Sequence, residues 1–198
     1  MMTIHRDDGV DRHITFKTPG TSCYWFEILT WPGALCIRGD CGTYVFSRLT
    51  DMFEFFRSDD RGDPQTLYIN EGYWREKLQA VNNCGYGKGS VVKFSQEDFE
   101  QHVMERVEGY LEGYAITDER RAELMERIQD EVLGNSHDGE VRAFDALNEF
   151  HDEEFPRLFE DCWEWRCEEY DFSFLWNAYA IAWAIRKYDA AKAEKRAA

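Results

Sequence analysis

The pattern of apolar and polar residues changes character near Phe94. Between Arg12 and Ser47, four apolar runs are separated by Pro-Gly or Gly-rich steps: HITFK, SCYWFEILT, ALCIRG and TYVFS. Short apolar runs bounded by such turn residues are typical of antiparallel strands. The sequence therefore predicts an N-terminal antiparallel meander of about four strands. Both faces of this sheet are fairly apolar, which predicts helices on one side and partial cover on the other.

Short helices and loops complete the N-terminal half. Residues 49–57 predict a short helix capped by Thr50, with Met52, Phe53 and Phe56 turned inward, and a second helix is expected near 71–81. Loops are expected at 58–65 and 82–90. The second loop contains GYGKGS, but the GxxxxGK[ST] spacing of a phosphate-binding loop is absent, so a hairpin turn is favoured.

After Phe94 the apolar residues recur every three or four positions, as in amphipathic helices. Ser95 with Asp98 forms a capping-box pattern that begins a helix at about 96–114, and Thr117 begins the next. A third helix is expected to start at Ser136 or Asp138. The predicted inward residues of the second and third helices are Leu124, Ile128, Val132, Val141, Phe144, Leu147 and Phe150.

The last predicted helix, from about 171 to 192, is apolar around its whole circumference, so we expect the other helices to bury it. Together these elements predict an α+β protein in which the N-terminal meander packs against a C-terminal set of about four helices. Residues 1–94 form the β-rich part and 95–198 the acidic helical part. With 198 residues and 43% apolar side chains, the two parts are expected to make one compact unit.

Charge is concentrated in the second part. The chain has a net charge of −16, and residues 96–185 hold 25 Asp and Glu against 7 Arg and no Lys. Such a segment repels nucleic acid and anionic lipid and attracts basic surfaces. Carboxylates on rigid helices can imitate phosphate spacing, although an acidic face can also serve solubility alone. The predicted partner-binding residues are Glu97, Asp98, Glu105, Glu108, Glu112, Glu119, Glu123, Glu126 and Asp130.

Catalytic signatures are absent from the sequence: it contains no GxSxG, HExxH or CxxC motif, so we predict no catalytic residue, cofactor or metal ligand. One alternative remains open, a metal-dependent hydrolase centred on His137, His151 and nearby carboxylates, with Cys162 or Cys167 as a further ligand. A second is a module that stacks single-stranded nucleic acid on sheet aromatics such as Tyr24, Trp25 and Trp31. The lack of a basic groove argues against direct nucleic-acid binding.

The sequence favours a cytoplasmic protein without a membrane partner. No run of about 18 uncharged apolar residues occurs, and the first residues lack the apolar stretch of a secretory signal. The six cysteines are too sparse for a disulfide scaffold in a chain of this length. Most of them are expected to be small core residues.

Three segments carry a resemblance to a known family. The block HITFKTPGTSCYWFEILTWPGALCIRGDCGTYVFSRLTDMFEFFR, together with INEGYWREKLQAV from Ile69 and FLWNAYAIAWAIRKYDAAKA from Phe174, resembles uncharacterised acidic proteins of tailed phages and prophages. The resemblance brings no activity and no site residue. It implies a phage accessory protein in the bacterial cytosol, where small acidic proteins often inhibit host nucleases or defence complexes. We therefore expect a non-enzymatic protein that binds a basic host or phage protein, such as a nucleic-acid-binding host factor, as a nucleic-acid mimic.

Overall fold

Alternating burial explains the N-terminal sheet in the computed structural model, which describes residues 1–58, 63, 65–82 and 90–197. In Asp11–Phe16, Arg12, Ile14 and Phe16 point to the core and the residues between them do not. Six strands pair antiparallel in chain order. They are β1 (Met2–Asp8), β2 (Asp11–Phe16), β3 (Phe26–Trp31), β4 (Ala34–Gly39), β5 (Gly42–Ser47) and β6 (Leu78–Asn82).

The four predicted strands correspond to β2–β5, and the sheet is longer than predicted by one strand at each edge. β1 has few apolar residues and gains its order by pairing with β2. β6 occupies the second half of the segment predicted as a helix near 71–81, because helix α2 (Glu71–Glu76) ends early and the chain then pairs with β5. Gly33, with a φ of 87°, allows the tight turn between β3 and β4 that Trp31 and Ala34 close.

The first short helix, α1 (Met52–Arg57), begins later than predicted. Its cap is Asp51 instead of Thr50, since the Asp51 carboxylate accepts the Phe53 N–H at 2.9 Å. The predicted inward residues Met52, Phe53 and Phe56 are all buried. The hairpin turn expected at GYGKGS lies outside the described residues except for Ser90, and so does most of the predicted loop at 58–65.

Contacts divide the chain into two compact units. Unit 1 comprises Met1–Val91 with Tyr170–Ala198, and unit 2 comprises Val92–Glu169. The α+β class is confirmed, but the set of C-terminal helices is divided: the last helix, α6 (Phe172–Ala197), belongs to the unit that holds the sheet. Whether 1–94 and 95–198 behave as domains stays a prediction.

In unit 1, α6 packs one face into the core formed by the sheet, α1 and Trp74. Asn177 is fully buried and donates to the Cys41 carbonyl at 2.8 Å, which ties α6 to the β4–β5 turn. The prediction that α6 is buried all round is wrong, since Phe172 is 70% exposed, Tyr179 45% and Trp183 39%. The sheet covers one face of the helix. On the other side Phe172 and Tyr179 are exposed to solvent, while the partly exposed Trp183 also packs its ring against Phe16 and Phe26.

Unit 2 contains helices α3 (Gln96–Leu111), α4 (Asp118–Glu131) and α5 (Glu140–Glu149), and strand β7 (Val92–Phe94) pairs with β8 (Glu168–Tyr170). Short 3₁₀ helices occupy Leu133–Asp138 and Cys162–Glu164. The predicted caps are confirmed: Ser95 accepts the Asp98 N–H and Thr117 the Arg120 N–H, each at 3.2 Å.

The start of α5 differs from the prediction because the 3₁₀ helix takes up Ser136 and Asp138, so α5 begins only at Glu140. Its inward residues are Ala143, Ala146 and Leu147, a spacing of three and four that turns Val141 away from the core. Val141 is 73% exposed, so its predicted inward position is wrong.

Candidate protein-binding surface

Four of the predicted carboxylates form a row on α3. The buried side of α3 is formed by Phe99, Val103, Val107 and Leu111, which recur every four residues. Helical geometry then places Glu97, Glu105, Glu108 and Glu112 on the opposite side, and all four are exposed. Asp98 lies at the edge of this row, in the first turn of the helix, and is half-buried.

A second row runs along α4. Leu124 and Ile128 face the core, so Glu119, Glu123, Glu126 and Asp130 fall on the outer face, and all four are exposed. We call these two sets, Glu97, Glu105, Glu108 and Glu112 on α3 and Glu119, Glu123, Glu126 and Asp130 on α4, the acidic rows. The helical period thus explains the outward position of eight predicted residues; their role in binding stays a prediction.

Few described cations approach the acidic rows. Glu123 lies 3.6 Å from Arg120, and Glu105 accepts a hydrogen bond from Gln101 at 2.7 Å. The remaining row carboxylates have no ion pair with any residue in the described part of the chain. Carboxylates three or four positions apart on a helix repel one another, so each row is a ready site for a cation from outside.

Three arginines of unit 2 have their closest partners outside the acidic rows. The Asp152 side chain is 1% exposed and accepts from Arg120 Nη2 at 2.7 Å and from Arg127 Nη1 at 2.9 Å. Arg106 donates to the Leu158 carbonyl at 2.6 Å. Arg121, Arg142 and Arg166 are exposed and lower the local negative charge to some extent.

Burial opposes ionisation of Asp152, but hydrogen bonds from Arg120 and from the backbone of Glu154 and Phe155 outweigh it. The pKa of Asp152 therefore lies below its usual range. This ion cluster fixes the segment after α5 to α4.

The net charge follows the division into units. Unit 2 holds 24 Asp and Glu against 8 Lys and Arg, a net charge of −16, whereas unit 1 holds 15 of each and is neutral. The entire formal charge of the protein is therefore carried by the unit that bears the acidic rows. A field of this strength accelerates association with basic partners.

The residues of the metal hypothesis are each engaged in other contacts or buried. His137 Nδ1 is 3.0 Å from Gln96 Oε1, and the His151 carbonyl accepts from Arg127. Cys162 and Cys167 are buried, and burial raises the pKa of both thiols to about 11. Among the described residues, no group of three or more His, Cys, Asp and Glu is arranged to hold a metal ion.

The sheet aromatics do not make one stacking platform. Tyr24 and Trp25 precede β3, whereas Trp31 ends it, so the six-residue strand separates them by roughly 20 Å. Tyr24 is 74% exposed and has a φ of 55°, while Trp25 is half-buried. The geometry gives the single-strand-binding alternative no support.

A polar cluster on the outer face of the sheet was not predicted. Glu27 is buried there between His13, whose Nε2 lies 2.6 Å from Glu27 Oε2, and Arg38, which donates to Glu27 Oε1. Burial opposes ionisation of Glu27, but contacts with His13 and Arg38 keep its pKa below the usual range. The period-two alternation of the strands places these three residues on one face of the sheet, and this alternation is the sequence signal from which the cluster could have been predicted. The cluster links β2, β3 and β4.

No family model, no curated protein and no solved structure matches the chain. Within the described residues, no helix combines the length and the apolar character that crossing a membrane requires.

Proposed function

We propose that this protein is a non-enzymatic accessory protein that captures a basic partner protein through the acidic rows of unit 2. The observation that carries the proposal is the confinement of the whole net charge to unit 2, where the row carboxylates point outward. Solubility alone needs no such division, because carboxylates spread over both units would serve it equally well. Each row holds its carboxylates at the fixed spacing of a helix, which gives it a defined pattern.

The regular succession of carboxylates in the rows suits a partner that normally grips nucleic acid. On α4 the four acids follow each other at four, three and four residues, so the row is about 16 Å long with neighbours about 5–6 Å apart. Lys and Arg side chains that reach for phosphates can reach a row of this kind, and the phage context implied by the resemblance points to a host nuclease or defence complex.

Charge reversal tests the proposal. The row variant changes Glu105, Glu112, Glu119 and Glu126 to Lys, and the matched control changes Asp145, Glu149, Glu153 and Glu164 to Lys. All eight residues are exposed in unit 2, so the two variants have the same net charge. The measurement is capture of host-lysate proteins on the immobilised chain at about 50 mM and about 500 mM salt, quantified by mass spectrometry.

We expect the wild type and the control to enrich the same basic protein at low salt and the row variant to lose it. Equal loss in both variants would show that only net charge matters, which would contradict a patterned surface. Capture that survives high salt would also contradict the proposal, since an electrostatic interface weakens as salt screens it.

A further inference from the structure

Unit 1 contains a cavity whose lining is rich in cations. It has a volume of about 430 Å³ and lies beside the last turns of α6, with Arg12, Arg57, Lys192 and Arg196 in its wall together with Tyr188 and Asp189. Unit 1 as a whole is neutral, so a cavity with four cationic side chains is a local exception. This feature is independent of the acidic rows.

Three of the four cations are held by aspartates. Arg12 donates to both oxygens of Asp51 at 2.9 and 2.8 Å, and Arg57 donates to both oxygens of Asp189 at 2.7 Å. Asp7 accepts from Lys192 at 2.7 Å and from the Tyr188 hydroxyl at 2.6 Å. Each of the six carboxylate oxygens therefore already has a donor.

The cations keep unused donors. A guanidinium has five N–H groups and an ammonium has three, so Arg57 retains three after binding Asp189 and Lys192 retains two after binding Asp7. Arg196 has no hydrogen bond or ion pair within the part of the chain that the structure describes. Arg12 is only 8% exposed, and its buried Nε has no acceptor there either.

Aromatic packing holds the guanidinium groups of Arg12 and Arg57 in place. The Phe53 ring lies 4.5 Å from Arg12 Cζ and 5.6 Å from Arg57 Cζ, so one ring supports both side chains. Fixed cations with free N–H groups lose little side-chain entropy when an anion arrives. The three carboxylates and four cations together leave a local charge of +1 for a ligand.

We propose that this cavity binds the phosphate group of a small phosphorylated molecule. A phosphate offers three or four oxygens to donors from several directions, which suits the separate donors of Arg57, Lys192 and Arg196 better than a planar carboxylate does. The volume falls within the range of small-molecule pockets, about 300–1,000 Å³, so an organic group can accompany the phosphate. Arg12 and Tyr188 form the floor that positions the donors.

The opposing interpretation is that these cations only stabilise the C-terminal end of α6. Cations are favourable there because the helix dipole is negative at that end. Lys195 provides a matched comparison, since it is exposed and next to Arg196 but does not line the cavity. Arg196→Gln and Lys195→Gln each remove one positive charge from the same turn.

The test is isothermal titration of the full chain with inorganic phosphate and with phenyl phosphate at low salt. We expect the wild type to bind phenyl phosphate, Arg196→Gln to weaken binding about fivefold or more, and Lys195→Gln to change it less than about twofold. Inorganic phosphate that binds as tightly as the ester supports the same site with free phosphate as its ligand. Weaker binding of inorganic phosphate supports an ester.

Two results would overturn the proposal. One is the absence of binding of both probes at about 10 mM, which is weaker than a specific phosphate site requires. The other is equal weakening by the two variants, because that result indicates general attraction to the helix end. Arg57→Lys keeps the charge but loses the paired contact with Asp189, and we expect it to weaken binding while circular dichroism remains that of the wild type.

Discussion

At the scale of single residues, Asp152 is the acid of unit 2 with the most extensive set of buried contacts. Its side chain is almost fully buried and accepts from two arginines and two backbone N–H groups. Loss of this buried carboxylate removes the group on which both arginines converge, and that costs more than the cluster contributes as a whole, although Arg120 keeps Glu154 and Arg127 keeps Glu131. The surface acids have no comparable set of contacts.

We therefore predict that Asp152→Asn lowers the free energy of unfolding by roughly 2–4 kcal/mol at pH 7, since Arg120 and Arg127 are left without their shared carboxylate. Glu153→Gln, which changes the exposed neighbouring acid, should alter stability by less than about 0.5 kcal/mol. Urea denaturation followed by circular dichroism measures both changes. Equal changes in the free energy of unfolding for the two variants would show that the buried cluster stabilises the fold no more than an exposed acid does.

The effect of Asp152→Asn on stability should depend on pH. The pKa of Asp152 is lower in the folded chain than in the unfolded chain, where it is about 3.9. The contribution of Asp152 to the free energy of unfolding is therefore complete well above pH 4, and it disappears as the pH falls through the folded-state pKa. The stability difference between the wild type and Asp152→Asn should stay near its pH 7 value down to about pH 5 and then shrink as the pH falls towards about pH 3. A difference that stays constant over this range would contradict the assignment.

At the scale of elements, local signals predicted the helix starts better than the strand partners. Ser95 and Thr117 accept the N–H groups that their positions predict, because a cap depends only on residues two or three positions away. The cap of α1 is Asp51 and not the predicted Thr50, because Asp51 is an equally good capping residue one position later. Strand β6 was missed because its order comes from pairing with β5, more than 30 residues earlier in the chain.

Two glycines provide opposite tests of element packing. A Cβ on Gly39, in β4, would lie 2.8 Å from Phe26 Cα and 2.9 Å from Phe26 Cβ, so the neighbouring strand would have to move. A Cβ on Gly109, inside α3, would meet nothing within 4 Å. The first glycine permits a close backbone approach, and the second only weakens its helix.

We predict that Gly39→Ala destabilises the protein by about 2 kcal/mol, since overpacking at a backbone contact cannot be relieved by a side-chain rotation. Gly109→Ala should stabilise it by about 1 kcal/mol, the difference in helix propensity between the two residues. Urea denaturation of both variants gives the two signs in one experiment. Changes of the same sign would contradict the packing of Gly39 or the exposure of Gly109.

At the scale of the whole molecule, the two candidate sites differ in how far the sequence reveals them. The acidic rows follow from the helical period of a single segment, and the exposure of Glu97 or Glu126 could be predicted from Phe99 or Leu124. The cationic cavity could not be predicted in this way. Arg57 meets Asp189 across 132 positions and Lys192 meets Asp7 across 185, and only the folded chain brings them together.

The confinement of the net charge to unit 2 predicts how salt affects its local stability. Unit 2 has a net charge of −16 and unit 1 is neutral, so self-repulsion opposes the folded state mainly in unit 2. Increasing the salt from about 10 mM to about 500 mM shortens the screening length from about 30 Å to a few Å. Amide hydrogen exchange in α3 and α4 should therefore slow several-fold, while exchange in β3 and β4 changes little.

A variant with Glu105, Glu112, Glu119 and Glu126 changed to Gln provides the control, because it removes four of the repelling charges and leaves the helices intact. Its α3 and α4 amides should start with slower exchange at low salt and gain less protection as salt is added. If salt slowed exchange equally in both units, or as much in the variant as in the wild type, the stabilisation would be a general salt effect. A response confined to unit 2 would mean that the acidic rows reduce the stability of the helices that carry them, a cost that a cationic partner would remove on binding.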